Sequence, residues 1–298
     1  MAHRIVLDTS SLMYRAFFSL PPTVRDGAGR PVNAVHGYVD MTSYLVAERH
    51  PDEVIHCYDA DWRPAERVRL FDGYKAQRPP DPEGLPEQFG VLREVLAAAG
   101  FTQAEAPGWE GEDAIGALCA ASPGDRFDIV TGDRDLIQLV RDPNMRVLFT
   151  VRGVSDLRVL DEAGVLAKYG VPASRYAEFA ILRGDPSDGL PGVKGVGEKT
   201  ARELVKAYPS IEAMVEDAGK ERRSGAPLQR SPSLRAAIVS SADYLRAMRE
   251  VVPIRTGVEL RTWRSERDDA LLDDLAERYR LTGPIRRLRA ALAGGPRV

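Results

Sequence analysis

Short apolar runs alternate with longer amphipathic ones through the first half of the chain. Residues 5–8 (IVLD), 54–59 (VIHCYD), 127–133 (FDIVTGD) and 146–150 (RVLFT) are brief and rich in β-branched or aromatic residues, which predicts buried strands of a parallel sheet. Between them, segments near 34–49, 85–99 and 111–121 carry helical periodicity, and this strand–helix alternation predicts a doubly wound α/β domain. Ligands of such sheets bind outside the carboxyl ends of the strands. Asp8, Asp59, Asp133 and Asp135 all fall at those ends.

Further acids stand in Glu110-Gly111-Glu112-Asp113 and in Asp185 with Asp188, so that carboxylates come from five separate segments. Asp133 and Asp135, two apart at a strand exit, point the same way, and Glu110 and Asp113 share a face at i,i+3 if a helix begins there. Each has a plainer reading. Asp8 precedes Thr9-Ser10-Ser11 and suits a helix cap, as does Asp133, while Glu110, Glu112 and Asp113 suit a helix first turn and Asp185-Pro186-Ser187-Asp188-Gly189 is a run of turn formers. Turn chemistry does not, however, require acids at several strand ends of one sheet. Together they are the raw material of a multi-metal site for phosphate chemistry.

Composition narrows the metal. The 298 residues, 44% of them hydrophobic, suffice for one large or two modest domains. No apolar run reaches the length of a membrane span and MAHRIVLDTS lacks the features of a signal peptide, so a cytoplasmic protein with no membrane contact is expected. Cys57 and Cys119 sit in apolar runs without CxxC spacing and are expected as buried thiols, and the four histidines form no i,i+4 pair. A metal here is therefore hard and oxygen-bound. Net charge is only −3, yet Arg63, Arg67, Arg69, Lys75 and Arg78 form one basic stretch and Lys194, Lys199, Arg202 and Lys206 another. Two positive strips beside an acidic pit fit a polyanion; solvated helix faces are the alternative.

Residues 184–201 (GDPSDGLPGVKGVGEKTA) join two acids, a proline–glycine turn and a Gly-x-x-Gly-x-Gly hairpin to an amphipathic segment over 200–208. Glycines allow close backbone approach to a phosphate, and a helix N-terminus with Lys199 and Thr200 offers donors and positive potential. A dinucleotide fingerprint is disfavoured, because no strand precedes Gly195 and no ribose-binding acid follows at the right distance.

This stretch resembles the signature of the flap endonuclease superfamily, specifically the 5′-nuclease domain of bacterial DNA polymerase I and its free-standing relatives. Residues 7–18 (LDTSSLMYRAFF), 57–80 (CYDADWRPAERVRLFDGYKAQRPP), 108–119 (GWEGEDAIGALC) and 130–140 (VTGDRDLIQLV) resemble the remaining motifs in order and spacing. The resemblance spans roughly 5–206, fades into an arginine-rich C-terminus, and implies a stand-alone enzyme. It implies a PIN-like α/β nuclease domain over 1–180 with a parallel (mixed) central sheet flanked by helices, a helical arch over about 61–86, and a helical C-terminal subdomain over 181–298. The latter carries a helix–hairpin–helix (H2TH-type) motif at about 184–206.

The same resemblance makes Asp8, Asp59, Glu110, Glu112 and Asp113 ligands of a first metal group and Asp133, Asp135, Asp185 and Asp188 ligands of a second, for two or more Mg²⁺ or Mn²⁺ ions, with K⁺ at the hairpin. Lys75 and Arg78 become the catalytic cations at the scissile phosphate. Arg15, Arg67, Tyr74, Gly192, Lys194, Gly195, Gly197, Lys199 and Thr200 become DNA contacts, Tyr74 by stacking on an unpaired base; helix packing is the alternative for Tyr74 and Phe71. Tyr14, Phe17 and Phe18, at helical spacing, are expected in the core. The polar segment 220–227 reads as a mobile loop, and Arg286, Arg287 and Arg289 as a duplex contact or a solvated final helix.

Two positions depart from the family pattern. Glu112 stands where Asp is common and reaches about one methylene further, and Gly189 stands where Asn is frequent, which removes a side-chain hydrogen bond from the turn. The expected activity is metal-dependent, structure-specific 5′ nuclease cleavage, exonucleolytic from 5′ ends and endonucleolytic at 5′ flaps, for primer and flap removal in replication and repair. Its substrates would be DNA with 5′ flaps, nicks or 5′ ends, and RNA–DNA primers, acted on by a monomer. A junction-binding module without turnover would lack acids of one metal group, and none is missing. An aspartyl phosphotransferase built on Asp8 would want a second Asp where Ser10 stands.

Overall fold

The computed structural model describes residues 1–220 and 227–294; most of the polar segment 220–227 lies outside them. In chain order the elements are β1 (His3–Asp8), α1 (Thr9–Ser19), α2 (Asn33–Arg49), β2 (Glu53–Tyr58), α3 (Ala65–Leu70), α4 (Leu85–Ala98), β3 (Thr102–Glu105), α5 (Gly111–Ala121), β4 (Arg126–Thr131), β5 (Met145–Thr150) and β6 (Leu157–Leu160). After these come α6 (Glu162–Tyr169), α7 (Tyr176–Arg183), α8 (Glu198–Ala207), α9 (Ile211–Gly219), α10 (Pro227–Arg230), α11 (Pro232–Ser240), α12 (Ala242–Val251), β7 (Arg261–Trp263), α13 (Asp269–Arg278) and α14 (Thr282–Leu292).

Seven strands form one mixed sheet in the order β6-β5-β4-β1-β2-β3-β7. The five inner strands run parallel, and β6 and β7 pair antiparallel at the edges. The side-chain period of two sorts each strand between two cores. Ile5, Leu7, Val54, Tyr58 and Val130 face one core with α2, α4, α13 and α14, whereas Val6, Ile55, Cys57, Phe127 and Ile129 face the other with α5 and helices α7 to α12. Both cysteines are buried and free, as expected. Among the described residues no helix is long and apolar enough to cross a membrane.

The strands expected at 5–8, 54–59, 127–133 and 146–150 and the helices expected at 34–49, 85–99 and 111–121 all form, within a residue or two at most ends. Two expectations need revision. The division at 180 does not hold for the end of the chain: β7 pairs with β3 through Gln103, Ala104 and Glu105, and α13 and α14 fill the first core beside α2 and α4. The segment 61–86, expected as an arch, contains the six-residue α3 followed by turns folded down onto the site described next.

Candidate active site

Because β4, β1 and β2 are parallel neighbours, their carboxyl ends lie along one rim of the sheet. Asp8 ends β1 and caps α1, accepting from the Ser11 amide at 3.2 Å and the Thr131 hydroxyl at 2.6 Å. Asp59 follows β2 and accepts from the Gly111 amide at 2.6 Å, which ties it to the start of α5. There Glu110 and Asp113 form a capping box, and oxygens of Glu110, Glu112 and Asp113 lie within 4.8 Å of one another. Asp133 follows β4 and holds the Asp135 amide at 2.9 Å. Asp185 caps the turn Pro186–Asp188, accepting from the Ser187 amide at 2.9 Å. The cap reading therefore holds for Asp8, Glu110, Asp113 and Asp185, and the helix or turn that each of them caps is what aims it toward the rim.

The electrostatics join all five segments. Burial, helped by the charges of Asp133 and Asp59, pushes the Asp8 carboxyl up to about 7. Burial likewise pushes Glu112 up to about 8, with Asp113 and Asp133 adding to it and Arg67 and Lys75 opposing. Asp135 is held well above the usual carboxylate range by burial and by Asp133, Glu112, Asp188 and Asp185. Four cations lie within ion-pair reach of the nine acids among the described residues: Arg67, Lys75, Arg78 and Arg183. Nine carboxylates against four cations leave a surplus of negative charge, presented by oxygen donors alone. Such a set fits hard divalent cations such as Mg²⁺ or Mn²⁺.

Arg67 is not placed to contact DNA. Its side chain is 1% exposed, donates to Asp113 with two 2.8 Å bonds and to Glu110, and reaches the Val251 carbonyl at 2.9 Å. An arginine in a carboxylate cluster is held by its five fixed donors, which match this planar acid pair. Tyr74 is buried as well, donating to Glu110 at 2.6 Å, so the packing alternative describes it and the stacking expectation does not. Lys75 is 6% exposed, in contact with Glu110 and 3.9 Å from Asp188, and Arg78 donates to Asp188 at 2.8 Å. Arg15 donates to the Thr150 and Val151 carbonyls at 3.2 and 3.3 Å, which engages its guanidinium at the end of β5.

Phe18 corrects the expectation of a core triad, being 72% exposed with its ring edge-on to Phe17. Arg287 and Arg289 of the final helix are paired with Asp40 and with Asp269 and Asp273. Residues that the sequence reading missed include Thr131, whose hydroxyl holds Asp8, and Arg255, whose amide donates to Asp113 at 2.8 Å. The threonine carries a signal, a hydroxyl two residues before Asp133; the Arg255 amide carries none.

The hairpin lies between α7 and α8 as expected. Val193 and Val196 are buried and anchor it, leaving Lys194, Gly195, Gly197 and Lys199 exposed and Thr200 half-buried in the first turn of α8. Gly192 is required by packing: it has φ +69°, and a Cβ there would lie 2.5 Å from the Arg183 carbonyl oxygen. Its contact is thus with its own chain. Gly195 has φ +78° and open space around it, which suits an approaching backbone.

Residues 3–170 match the family described as 5′-3′ exonuclease, N-terminal resolvase-like domain, and residues 171–269 match 5′-3′ exonuclease, C-terminal SAM fold. A 5′-3′ exonuclease of Streptomyces coelicolor is 41% identical over 97% of this chain and 99% of its own length. DNA polymerase I of Mycobacterium tuberculosis is 35% identical over 99% of this chain, which spans 32% of that protein. Among solved structures, bacteriophage T5 5′-exonuclease with bound divalent metal ions shares the fold, with a TM-score of 0.65, 16% identity and coverage of 96% of this chain and 98% of that one. By both halves of its sequence, the chain belongs to the 5′-3′ exonuclease family.

Proposed function

We propose that this exonuclease-family chain hydrolyses DNA phosphodiester bonds from 5′ ends and at junctions of duplex with a 5′ single strand, with two or more Mg²⁺ or Mn²⁺ ions. The observation that carries the proposal is the meeting of nine carboxylates from five segments at one rim of the sheet, with Lys75 and Arg78 among them. Asp8, Asp59, Glu110, Glu112 and Asp113 would hold one metal group and Asp133, Asp135, Asp185 and Asp188 the other. Divalent ions, when bound, supply the Lewis-acid chemistry, making water acidic enough to attack and offsetting charge on the departing 3′ oxygen.

The chain's own residues do the rest. Lys75 and Arg78 place positive charge beside the acids, where a phosphate in transit gains negative charge. Asp113 and Glu110, gripped by Arg67, keep the α5 end rigid. Lys194 and Lys199, with the open backbone at Gly195 and Gly197 and the Thr200 end of α8, grip the duplex backbone away from the cut, and the hairpin is the candidate seat of a K⁺ ion. The structure of the T5 enzyme with divalent metal ions supports the metal reading, and relatives named DNA polymerase I support a place in replication and repair. Flap and primer removal, RNA–DNA primers as substrates, a monomeric state and work at the nucleoid complete the reading.

The test uses flap, nicked and blunt duplexes labelled at the 5′ or 3′ end, incubated with Mg²⁺, Mn²⁺ or EDTA. Short 5′-labelled products and junction cuts that vanish in EDTA are expected. Intact substrate in both metals, with junction binding retained, would replace the nuclease reading with that of a binding module.

A further inference from the structure

Two turns meet at the rim, one carrying Lys75 and Arg78 and the other Asp185 and Asp188. They are joined by bonds beyond the ion pairs between their charged side chains. The Gln77 side-chain amide donates to the Pro186 carbonyl at 2.9 Å and the Ser187 carbonyl at 3.2 Å. The Lys75 amide donates to the Asp188 carbonyl at 2.9 Å, and Arg78 Nε donates to the Ser187 carbonyl at 3.1 Å.

Close packing accompanies these bonds. Gly189 has φ +73°, and a Cβ there would lie 2.5 Å from the Gly73 carbonyl oxygen and 2.5 Å from Gln77 Oε1. A turn with any side chain at 189 would have to stand off from the cation-bearing turn. Lys75 has φ +52°, a conformation that a residue with a side chain rarely adopts unless its surroundings impose it. The bond from its amide to Asp188 is part of that imposition. Gln77 is exposed and carries no charge, so neither the core nor the charge balance rests on it.

We propose that Gln77 is a positioning residue which, seated over Gly189, docks the Lys75–Arg78 turn onto the Asp185–Asp188 turn so that cations and acids keep one spacing as a unit. The docking is a property of the fold; its consequence for turnover rests on the nuclease reading above.

The test compares wild type, Gln77→Ala, Gly189→Ala and the double variant in the full chain. Loss of two neutral hydrogen bonds should speed exchange of the Lys75 amide by about tenfold and slow single-turnover cleavage of a 5′-flap duplex by about tenfold. Affinity for that duplex in Ca²⁺ should stay within about twofold and the thermal midpoint should hold, since Gln77 touches only the neighbouring turn. Gly189→Ala should act in the same direction, and the double variant should be less than additive, because both remove one docking contact. For Gln77→Ala, unchanged Lys75 exchange, an unaltered cleavage rate, or a loss matched by a fall in the midpoint would each overturn the proposal, as would strict additivity in the double variant. Should wild type cleave nothing, the nuclease reading fails, while the exchange result still decides the docking.

Discussion

The two groups of carboxylates are built in opposite ways. Glu110 and Asp113 lie buried at the start of an 11-residue, roughly three-turn core helix, gripped by a buried arginine, a tyrosine hydroxyl and the Arg255 amide. Asp133, Asp135 and Asp185 stand on loops and turns, at least partly accessible, and hold mainly amides within two residues of themselves. The first group is a fixed wall; the second is a rim braced by Lys75, Arg78, Gln77 and Arg183. Rigidity in one half and access in the other suit a site that must keep its geometry and still admit a strand.

This contrast can be broken from either side. The largest expected effect is on turnover at the rim: Asp185→Asn keeps the turn cap but removes a charge, and should cut single-turnover cleavage by more than about 10⁴-fold, or roughly 5 kcal/mol of transition-state stabilisation. Its denaturant midpoint should stay at wild type; near-normal cleavage would remove Asp185 from the site. At the wall the expected loss is of stability. Arg67→Met leaves Glu110 and Asp113 buried without their counter-ion and should cost about 3–5 kcal/mol in urea unfolding. A variant as stable as wild type would mean that the acids are not held as described.

A smaller effect depends on pH. Asp8 has its carboxyl raised to about 7 by burial and by neighbouring acids, so its protonated form is the one that the fold favours. Its contribution to stability is full below about pH 4 and is lost as pH rises toward about 7. In EDTA, Asp8→Asn should therefore flatten part of the fall in stability across that range, and Mg²⁺ should lessen the fall in wild type. Identical slopes with and without the Asp8 carboxyl would refute the crowding argument. Smallest of all, Lys199→Ala on the exposed hairpin should weaken duplex binding only a few-fold and lower the slope of log affinity against log salt by about one. An unchanged salt slope would place Lys199 off the duplex.

Much of this was legible in the chain, for identifiable reasons. IVLD and FDIVTGD show as strands because both faces are buried, and Asp8 and Asp133 show as candidate site residues because they end such runs. TQAE of β3 and RTW of β7 do not show, being short, largely polar and strands only through their partners. Arg67 looks in sequence like any basic residue of a helix face, and nothing in its neighbours announces that Glu110 and Asp113, more than forty positions away, enclose it. Tyr74 misled for the same reason, because an aromatic near a basic pair suits a base as well as a buried carboxylate. Gly189 was visible as an oddity, but its cause, the Gly73 carbonyl 2.5 Å from where a Cβ would sit, is a contact across the fold.

The return of the chain to the sheet at β7 bears on how the protein is made. Until residues 261–292 have left the ribosome, β3 presents an unpaired edge and the apolar faces of α2 and α4 lack α13 and α14. The wall of acids is therefore assembled on a sheet that gains its seventh strand and its outer helices only once residues 261–292 have emerged. Nascent chains that lack residues 261–292 expose an open strand edge and an uncovered apolar face, so this segment is the one that closes the sheet.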